Sequence, residues 1–173
     1  MFLQKQRLDW ELGFEDESIF QHENKPGKVW AVKGSKPRSK VTGSKKKVIC
    51  FGTLTESKQQ CFRTYPKANS DYFITYLKVL LQKFKKLILF VDQAPWHKSK
   101  KVKNFLSHHK HRLKIKPLPK GFPELNPVEE SWRQGKKDIQ QDQYYDSFEK
   151  FSDAVSLYYR NKRFKLDVYK YFC

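Results

Sequence analysis

The strongest constraint on the fold of this chain is the segment LILFVD, residues 87–92. Five apolar residues in succession leave no polar face. A short run of this kind is typical of a β-strand that is covered on both faces, as in the inner strands of parallel sheets. The run ends at Asp92, and such sheets carry their chemistry at strand ends. The segment therefore predicts a layered α/β fold with a carboxylate at the end of an inner strand.

The rest of the pattern predicts a mixed sheet with helices on its faces. Residues 8–16 alternate between apolar and polar side chains, which predicts a strand ending at Asp16, with Asp16 on the apolar face. Further strands are predicted over 28–34, 45–55, 61–66, 86–92 and 112–119, and helices over 69–84, 98–110, 126–140 and 146–161. Early hairpins followed by helical crossovers give such a sheet.

The charge of the chain predicts a polyanionic partner. Lysine and arginine number 36 against 18 acidic residues, for a formal charge of +18. Thirteen basic residues lie between Lys78 and Lys120, and Asp92 is the single acid among them. Solubility alone is one explanation of this charge. Its clustering favours nucleic acid, because neutralising phosphates releases counterions and drives binding.

Cysteine content and hydrophobicity indicate the compartment. Cys50, Cys61 and Cys173 lack metal-ligand spacing, and the first two lie in strand-like apolar runs. We expect these two to be reduced core residues, as in cytosolic proteins. No apolar run is long enough to span a membrane, and the first ten residues lack the hydrophobic region of a signal peptide. We therefore expect a soluble, cytoplasmic, nucleoid-associated protein without a membrane partner.

Three acids are candidate metal ligands: Asp16, Asp92 and Glu129. Each also has a structural interpretation. Asp16 would be a turn residue, Asp92 would cap the following turn, and Glu129 would be the third residue of a helix capped by Asn126. Two strand ends and one first helical turn can nevertheless converge at one end of a sheet. Clustered carboxylates require a compensating cation, and Mg²⁺ or Mn²⁺ prefers carboxylate oxygen. Two such ions about 4 Å apart promote phosphodiester cleavage.

Neighbouring residues provide alternatives and candidate DNA contacts. Alternation turns Glu15 and Glu17 away from Asp16, and Glu130 lies about 100° around its helix from Glu129. Glu130 is therefore the second choice for the third ligand. The residues expected to contact DNA are Trp96, His97, Lys98, Lys100, Lys101 and Lys120. Trp96 would stack on an unpaired base, and His97 would either contact phosphate or be an ordinary helix-start residue, whereas Trp132 is expected in the core.

Four motifs occur in an order that resembles a known family. They are FEDES (14–18), VWAVKGSKP (29–37), LFVDQAPWHKSKKVKNFL (89–106) and PELNPVEESW (123–132). Over roughly residues 8–160, the chain resembles the catalytic domain of a DDE transposase of the mariner superfamily, closest to the prokaryotic insertion-sequence branch. Thirty-six residues separate Asp92 from Glu129, which is similar to the family's spacing. Gln93 replaces the usual Asn, and KGF at 120–122 replaces the usual Pro-Tyr-Ser.

The resemblance implies both a fold and a reaction. The fold is a ribonuclease H-like, mixed five-stranded sheet with helices on both faces. The triad is Asp16, Asp92 and Glu129, which hold Mg²⁺ (or Mn²⁺), with two ions expected. The reaction is cleavage at transposon ends and joining of the freed 3′-hydroxyl to target DNA, with a dimer as one expected state of the DNA complex. Residues 1–173 are expected to form a single catalytic domain without the family's N-terminal helix-turn-helix region.

Two other functions remain open at this point. One is a different ribonuclease H-like nuclease, for instance one that acts on RNA–DNA hybrids or junctions. The other is a non-catalytic, nucleic-acid-binding remnant of a transposase, which would bind in a salt-sensitive manner without metal-dependent chemistry.

Overall fold

The computed structural model describes residues 9–23, 30–36, 38, 40–119, 126–141 and 143–165. Its sheet contains β1 (Glu11–Gln21), β2 (Lys47–Thr55), β3 (Gln60–Tyr65), β4 (Leu87–Val91) and β5 (Leu113–Pro117). The strand order is β3-β2-β1-β4-β5. Strand β1 pairs antiparallel with β2, and β2 pairs antiparallel with β3. Strand β1 also pairs parallel with β4, and β4 pairs parallel with β5. The predicted mixed sheet, with the 87–91 run as an inner parallel strand, is confirmed.

Four helices surround the sheet: α1 (Ser70–Lys83), α2 (Lys100–His109), α3 (Val128–Gln140) and α4 (Phe148–Asn161), with a short 3-10 helix at Pro95–Lys98. Three helices start at polar side chains that accept backbone N–H groups, namely Asn69, Ser99 and Ser147. These starts agree with the predicted helices to within two residues. Among the described residues, no helix is long and apolar enough to cross a membrane.

The sheet separates two hydrophobic cores. One contains residues of α1, α2 and β4, such as Phe73, Leu77 and Leu89. The other contains residues of β1, α3 and α4, including Phe14 and Trp132. Helices therefore cover both faces, as predicted. The free cysteines Cys50 and Cys61 are buried, which confirms their predicted core positions, whereas Cys173 lies outside the described residues.

Strand β1 is longer than the sequence pattern predicts, and Asp16 lies in its middle rather than at its end. Pairing with β2 continues as far as Gln21. Pairing with β4 stops at Phe14, because β4 itself ends at Val91. Asp16 therefore lies two residues beyond the last β1–β4 pair, beside the point where the chain leaves the sheet after β4. Of the two predicted strand ends beside the candidate site, only the end of β4 is therefore an actual strand end.

The strand predicted over 28–34 is wrong for the residues that the structure describes. Residues 30–36 form no strand, and the side chains of Trp30 and Val32 are fully and 83% exposed, respectively. Residues 28 and 29 lie outside the described residues. The free edges of the sheet belong to β3 and β5, whereas β1, the strand that precedes this segment in the chain, is already flanked by β2 and β4. Residues 30–36 pair with neither free edge.

Candidate active site

Asp16 is held by a tryptophan of α3. Its Oδ2 accepts a hydrogen bond of 2.7 Å from the indole Nε1 of Trp132. Trp132 is buried, as predicted, and packs edge-on against Phe62. Gly52 pairs with Asp16 across β2, and a Cβ at Gly52 would lie 2.5 Å from the Phe62 ring and 2.6 Å from the Trp132 ring. The missing side chain at Gly52 lets Trp132 lie close enough to the sheet to reach Asp16.

The start of α3 is tied to β1 by Asn126. The Asn126 side-chain amide donates to the carbonyl of Glu15 at 3.1 Å, and its Oδ1 accepts the N–H of Val128 at 3.1 Å. The predicted capping role of Asn126 is thus present, although the helix begins at Val128. Glu129 is exposed in the first turn, three residues before Trp132, so the two share a helix side.

Asp92 lies in the turn after β4 and is oriented by two contacts. Its Oδ1 accepts the N–H of Ala94 at 2.8 Å and lies 3.0 Å from Nδ1 of His97. The hydrogen bond from His97 is the main reason that the pKa of Asp92 lies below its usual value. The side chain is 53% exposed, so Asp92 remains accessible to solvent.

The pKa of Asp16 responds to both of the other predicted acids. Burial raises the pKa of Asp16 from 3.8 to about 7, and the charge of Glu129 is the next largest cause. Asp92 raises this pKa further, whereas the hydrogen bond from Trp132 lowers it. Among the described residues, no lysine or arginine forms an ion pair with Asp16 or Glu129. Within the described part of the chain, Asp16 and Glu129 therefore have no paired cation, whereas Asp92 is paired with His97.

Glu130, the second choice for the third ligand, is engaged elsewhere. Its two oxygens accept hydrogen bonds of 2.7 Å from Arg133, and Gln134 donates to it as well. The Arg133 hydrogen bonds lower the pKa of Glu130 to about 2. Glu130 is thus paired with Arg133, whereas Glu129 raises the pKa of Asp16.

The opposite face of β1 contains a second polar cluster, formed by Glu15, Glu17 and His97. Glu17 Oε1 lies 3.0 Å from His97 Nε2 and accepts a hydrogen bond of 2.9 Å from Trp96 Nε1. Burial opposes the charge on His97, but the hydrogen bonds to Asp92 and Glu17 outweigh it and raise the pKa to about 9. The predicted turning of Glu15 and Glu17 away from Asp16 is observed. Their joint contact with His97 was missed, because it depends on where the 3-10 helix packs.

His97 is not placed as a DNA-contacting residue would be. It is 5% exposed, and both of its ring nitrogens contact protein atoms, so a phosphate cannot reach it in this arrangement. Trp96 is half-buried with its N–H engaged by Glu17. The side chain of His97 contacts Glu17 of β1 and packs on the ring of Phe73 in α1, which agrees with the alternative of an ordinary helix-start residue.

The predicted basic contacts lie at the surface where the structure describes them. Lys98 and Lys100 are exposed, and Lys98 donates to Oε1 of Gln93 at 2.9 Å. Lys101 is exposed and pairs with Asp71 at 2.8 Å. Lys120 lies outside the described residues. The amide of Gln93 donates to the carbonyl of Leu118, so the residue that replaces the family's usual Asn connects the turn after β4 to the segment after β5.

A comparison with known protein families finds one that contains these elements. Residues 11–152 match the family of DDE superfamily endonucleases. Because the match covers most of the chain, the protein belongs to this family and is a DDE-type endonuclease domain. No curated protein matches the chain by sequence.

Solved structures of Mos1 transposase share the fold. The chain superposes on the Mos1 paired-end complex with left transposon end with a TM-score of 0.65 and 17% identity, covering 99% of this chain and 53% of that one. The Mos1 strand transfer complex matches with a TM-score of 0.66 and 17% identity, covering 99% of this chain and 54% of that one. The catalytic domain of Mos1 mariner transposase matches with a TM-score of 0.57 and 16% identity, covering 99% of this chain and 78% of that one. The fold is therefore ribonuclease H-like, and the chain spans roughly half of the longer Mos1 chains.

Proposed function

We propose that this chain is the catalytic domain of a DDE transposase that cleaves transposon ends and joins the freed 3′-hydroxyl to target DNA. In this proposal, Asp16, Asp92 and Glu129 are the catalytic and metal-binding residues. The supporting observation is that two hydrogen bonds tie α3 to β1, from Asn126 to the carbonyl of Glu15 and from Trp132 to Asp16. They bring the first turn of α3, with Glu129, to the strand of Asp16, which pairs with β4, the strand that precedes Asp92. Mos1 structures with transposon-end DNA, Mn and Mg support the choice of partner and cofactor.

The donor set fits hard divalent cations. Glu129 and Asp92 both raise the pKa of Asp16, and among the described residues neither Asp16 nor Glu129 has an ion-paired lysine or arginine. Mg²⁺ and Mn²⁺ prefer such oxygen ligands and retain exchangeable waters. When bound, two such ions supply activation of a water and stabilisation of the leaving oxygen in phosphodiester cleavage.

The chain's own residues prepare this site. Trp132 holds Oδ2 of Asp16 by a hydrogen bond, and no described residue hydrogen-bonds to its Oδ1. His97 and the Ala94 N–H both engage Oδ1 of Asp92, and within the described ranges its Oδ2 has no hydrogen-bond partner and can face a ligand. Orientation of this kind lowers the entropic cost of assembling the reacting groups. Glu129 approaches from the first turn of α3, which Asn126 ties to β1.

DNA would lie across the lysine-rich surface beside Asp92. Lys98, Lys100, Lys101 and Lys120 are proposed phosphate contacts, and Trp96 is a proposed base contact. We also propose that residues 1–173 act as one catalytic domain of the insertion-sequence branch, that a dimer forms on DNA, and that the protein works at the nucleoid. An end-recognition domain would then come from outside these residues.

The first experiment measures nicking of supercoiled plasmid in Mg²⁺ or Mn²⁺ by the parent, Asp92→Asn and the control Asp71→Asn. Asp71 is an exposed acid of α1 that pairs with Lys101 and is not part of the proposed triad. We expect Asp92→Asn to lose nicking by a factor on the order of a thousand while binding DNA normally, and Asp71→Asn to retain nicking. Equal nicking by Asp92→Asn and the parent would remove Asp92 from the catalytic assignment.

A second experiment separates the transposase from the alternatives. A duplex DNA and an RNA–DNA hybrid of the same sequence are offered to the parent, and a pre-cut 3′-hydroxyl end is offered together with a target plasmid. Joining of the end to the plasmid supports a transposase. Preferential cutting of the hybrid points to another nuclease, and salt-sensitive binding without cutting or joining points to a non-catalytic protein.

A further inference from the structure

The cluster on the opposite face of β1 from Asp16 contains an unbalanced buried carboxylate. Glu15 is fully buried, and neither of its side-chain oxygens has a hydrogen-bond partner among the described residues. Nε2 of His97 lies 3.8 Å from Oε2 of Glu15. Leaving a buried carboxylate without partners is costly, so a native protein normally places a cation or donor against it.

The donor atoms have the spacing of a metal site. One ligand atom from each of Glu15, Glu17 and His97 lies within 4.8 Å of the other two. Nε2 of His97 is 3.0 Å from Glu17 Oε1 and 3.8 Å from Glu15 Oε2. Ligands about 2.1 Å from a tetrahedral zinc are about 3.4 Å from one another, midway between these two distances. Neither oxygen of Glu15 has a hydrogen-bond partner in the part of the chain that the structure describes, so this carboxylate can bind in a bidentate manner.

We propose that Glu15, Glu17 and His97 form a buried site for a divalent transition-metal ion, with zinc as the expected occupant. The mixture of one imidazole and two carboxylates favours zinc over magnesium, which prefers an all-oxygen shell. Zinc takes the place of the proton on Nε2 of His97, and the proton leaves to solvent. The Trp96 N–H, which lies 2.9 Å from Glu17 Oε1 and 3.0 Å from His97 Nε2, then donates to Glu17 alone.

The role of this site is structural. Nδ1 of His97 donates to Oδ1 of Asp92, which is the arrangement in which a carboxylate orients a metal-binding histidine. The zinc would therefore join β1, on which Asp16 lies, to the 3-10 helix that positions Asp92. Because the cluster is closed to substrate, this site does not depend on the proposed DNA chemistry, and either proposal can fail without the other.

Metal content tests this proposal on the full chain. The parent, Glu15→Gln and Glu129→Gln are purified without chelators from zinc-supplemented cells, and zinc per chain is measured by plasma mass spectrometry after dialysis. We expect a single zinc ion per chain in the parent and in Glu129→Gln, and at least about a hundredfold weaker zinc binding in Glu15→Gln. Chelator should lower the melting temperature of the first two proteins and leave that of Glu15→Gln unchanged.

Two controls keep the result unambiguous. Replacing His108, which is exposed, and His109, which is half-buried, with alanine removes histidines outside the cluster that could bind zinc, and this change should leave the zinc content unaltered. If Glu15→Gln fails to fold, zinc-edge X-ray absorption of the parent decides, and we expect nitrogen and oxygen ligands with one imidazole and no sulfur. A parent that holds no zinc, a sulfur ligand, or equal zinc in folded Glu15→Gln would each overturn the proposal.

Discussion

Two consecutive side chains of β1, Glu15 and Asp16, show how differently the two faces of one strand treat a carboxylate. Asp16 lies on the α3 side, where it has the Trp132 hydrogen bond and neighbouring acids that remain partly exposed. Glu15 lies on the α1 side, where it is fully buried beside His97. The same functional group is thus reachable by solvent on one face and sealed on the other.

This difference assigns different tasks to the two faces. An exchangeable cation that must meet a substrate needs open coordination positions, which only the Asp16 face can provide. A cation on the Glu15 face would be enclosed by protein and would serve stability. Acidic residues adjacent in sequence therefore need not belong to the same site, because the period-two alternation of a strand separates them.

The largest expected effect is on catalysis at the open face. Asp16→Asn should lower metal-dependent nicking by about a thousandfold or more, because it removes a carboxylate from the proposed triad while retaining an oxygen for Trp132. Glu15→Gln should lower nicking by less than about tenfold, because it acts only through the surrounding structure. Plasmid nicking rates measure both. Equal losses in the two variants would mean that the faces are not functionally distinct.

The next effect is on stability at the closed face. His97→Gln should reduce the free energy of unfolding by about 3 kcal/mol, because it removes the partner of a buried charged pair. Urea unfolding in chelator-containing buffer measures this loss. Lys98→Gln, at the exposed neighbouring position, serves as the control and should change stability little. An unchanged midpoint for His97→Gln would contradict the closed cluster of charges described above.

The pH dependence of metal-free stability should also differ between the faces. The pKa of Asp16 rises from 3.8 to about 7 on folding, so the folded state binds this proton more tightly and loses stability as pH rises between those values. The pKa of His97 rises from 6.5 to about 9, so its stabilising contribution is present below 6.5 and is lost as pH rises towards 9.

Asp16→Asn isolates the acidic part of this profile. In chelator, the variant should be more stable than the parent by roughly 2 kcal/mol at pH 8, and this advantage should vanish near pH 4, where the parent's Asp16 is protonated. Urea unfolding across the pH range provides the measurement. A variant less stable than the parent at pH 8 would show that burial and the neighbouring acids do not destabilise the ionised form of Asp16.

The smallest effect is expected at Glu130. Its pairing with Arg133 is exposed, so Glu130→Gln should change stability by no more than about 0.5 kcal/mol and leave nicking near the parent level. Glu129→Gln, one residue earlier, should abolish nicking. Side-by-side assays of the two variants identify the third acid, and a reversed pattern would move that role to Glu130.

Local patterns predicted much of this fold correctly. The unbroken apolar run of 87–91 became an inner parallel strand, and Asn69 started α1 as a capping residue should. Alternation also separated Asp16 from Glu15 and Glu17. These features depend on residues close together in the chain, so periodicity and capping chemistry reveal them.

The errors occurred where a distant element decided the outcome. Residues 30–36 of the predicted 28–34 strand pair with neither free edge of the sheet, β3 or β5, and β1 continued past Asp16 because β2 was available to pair with it. The contact of His97 with Glu17 was not anticipated, because it depends on how the 3-10 helix packs against β1. The sequence of each segment does not predict these outcomes, since each depends on which other strand or helix packs against that segment.

The sequence by itself determined the layered α/β class, the basic surface and the three acids that a resemblance to DDE transposases assigns. Only the tertiary structure decided that Glu129 rather than Glu130 acts on Asp16, and that Glu15, Glu17 and His97 form a second polar cluster. The physical reason is that periodicity is a property of the local chain. The charge that a side chain meets, and the water it loses, depend on segments far away in sequence.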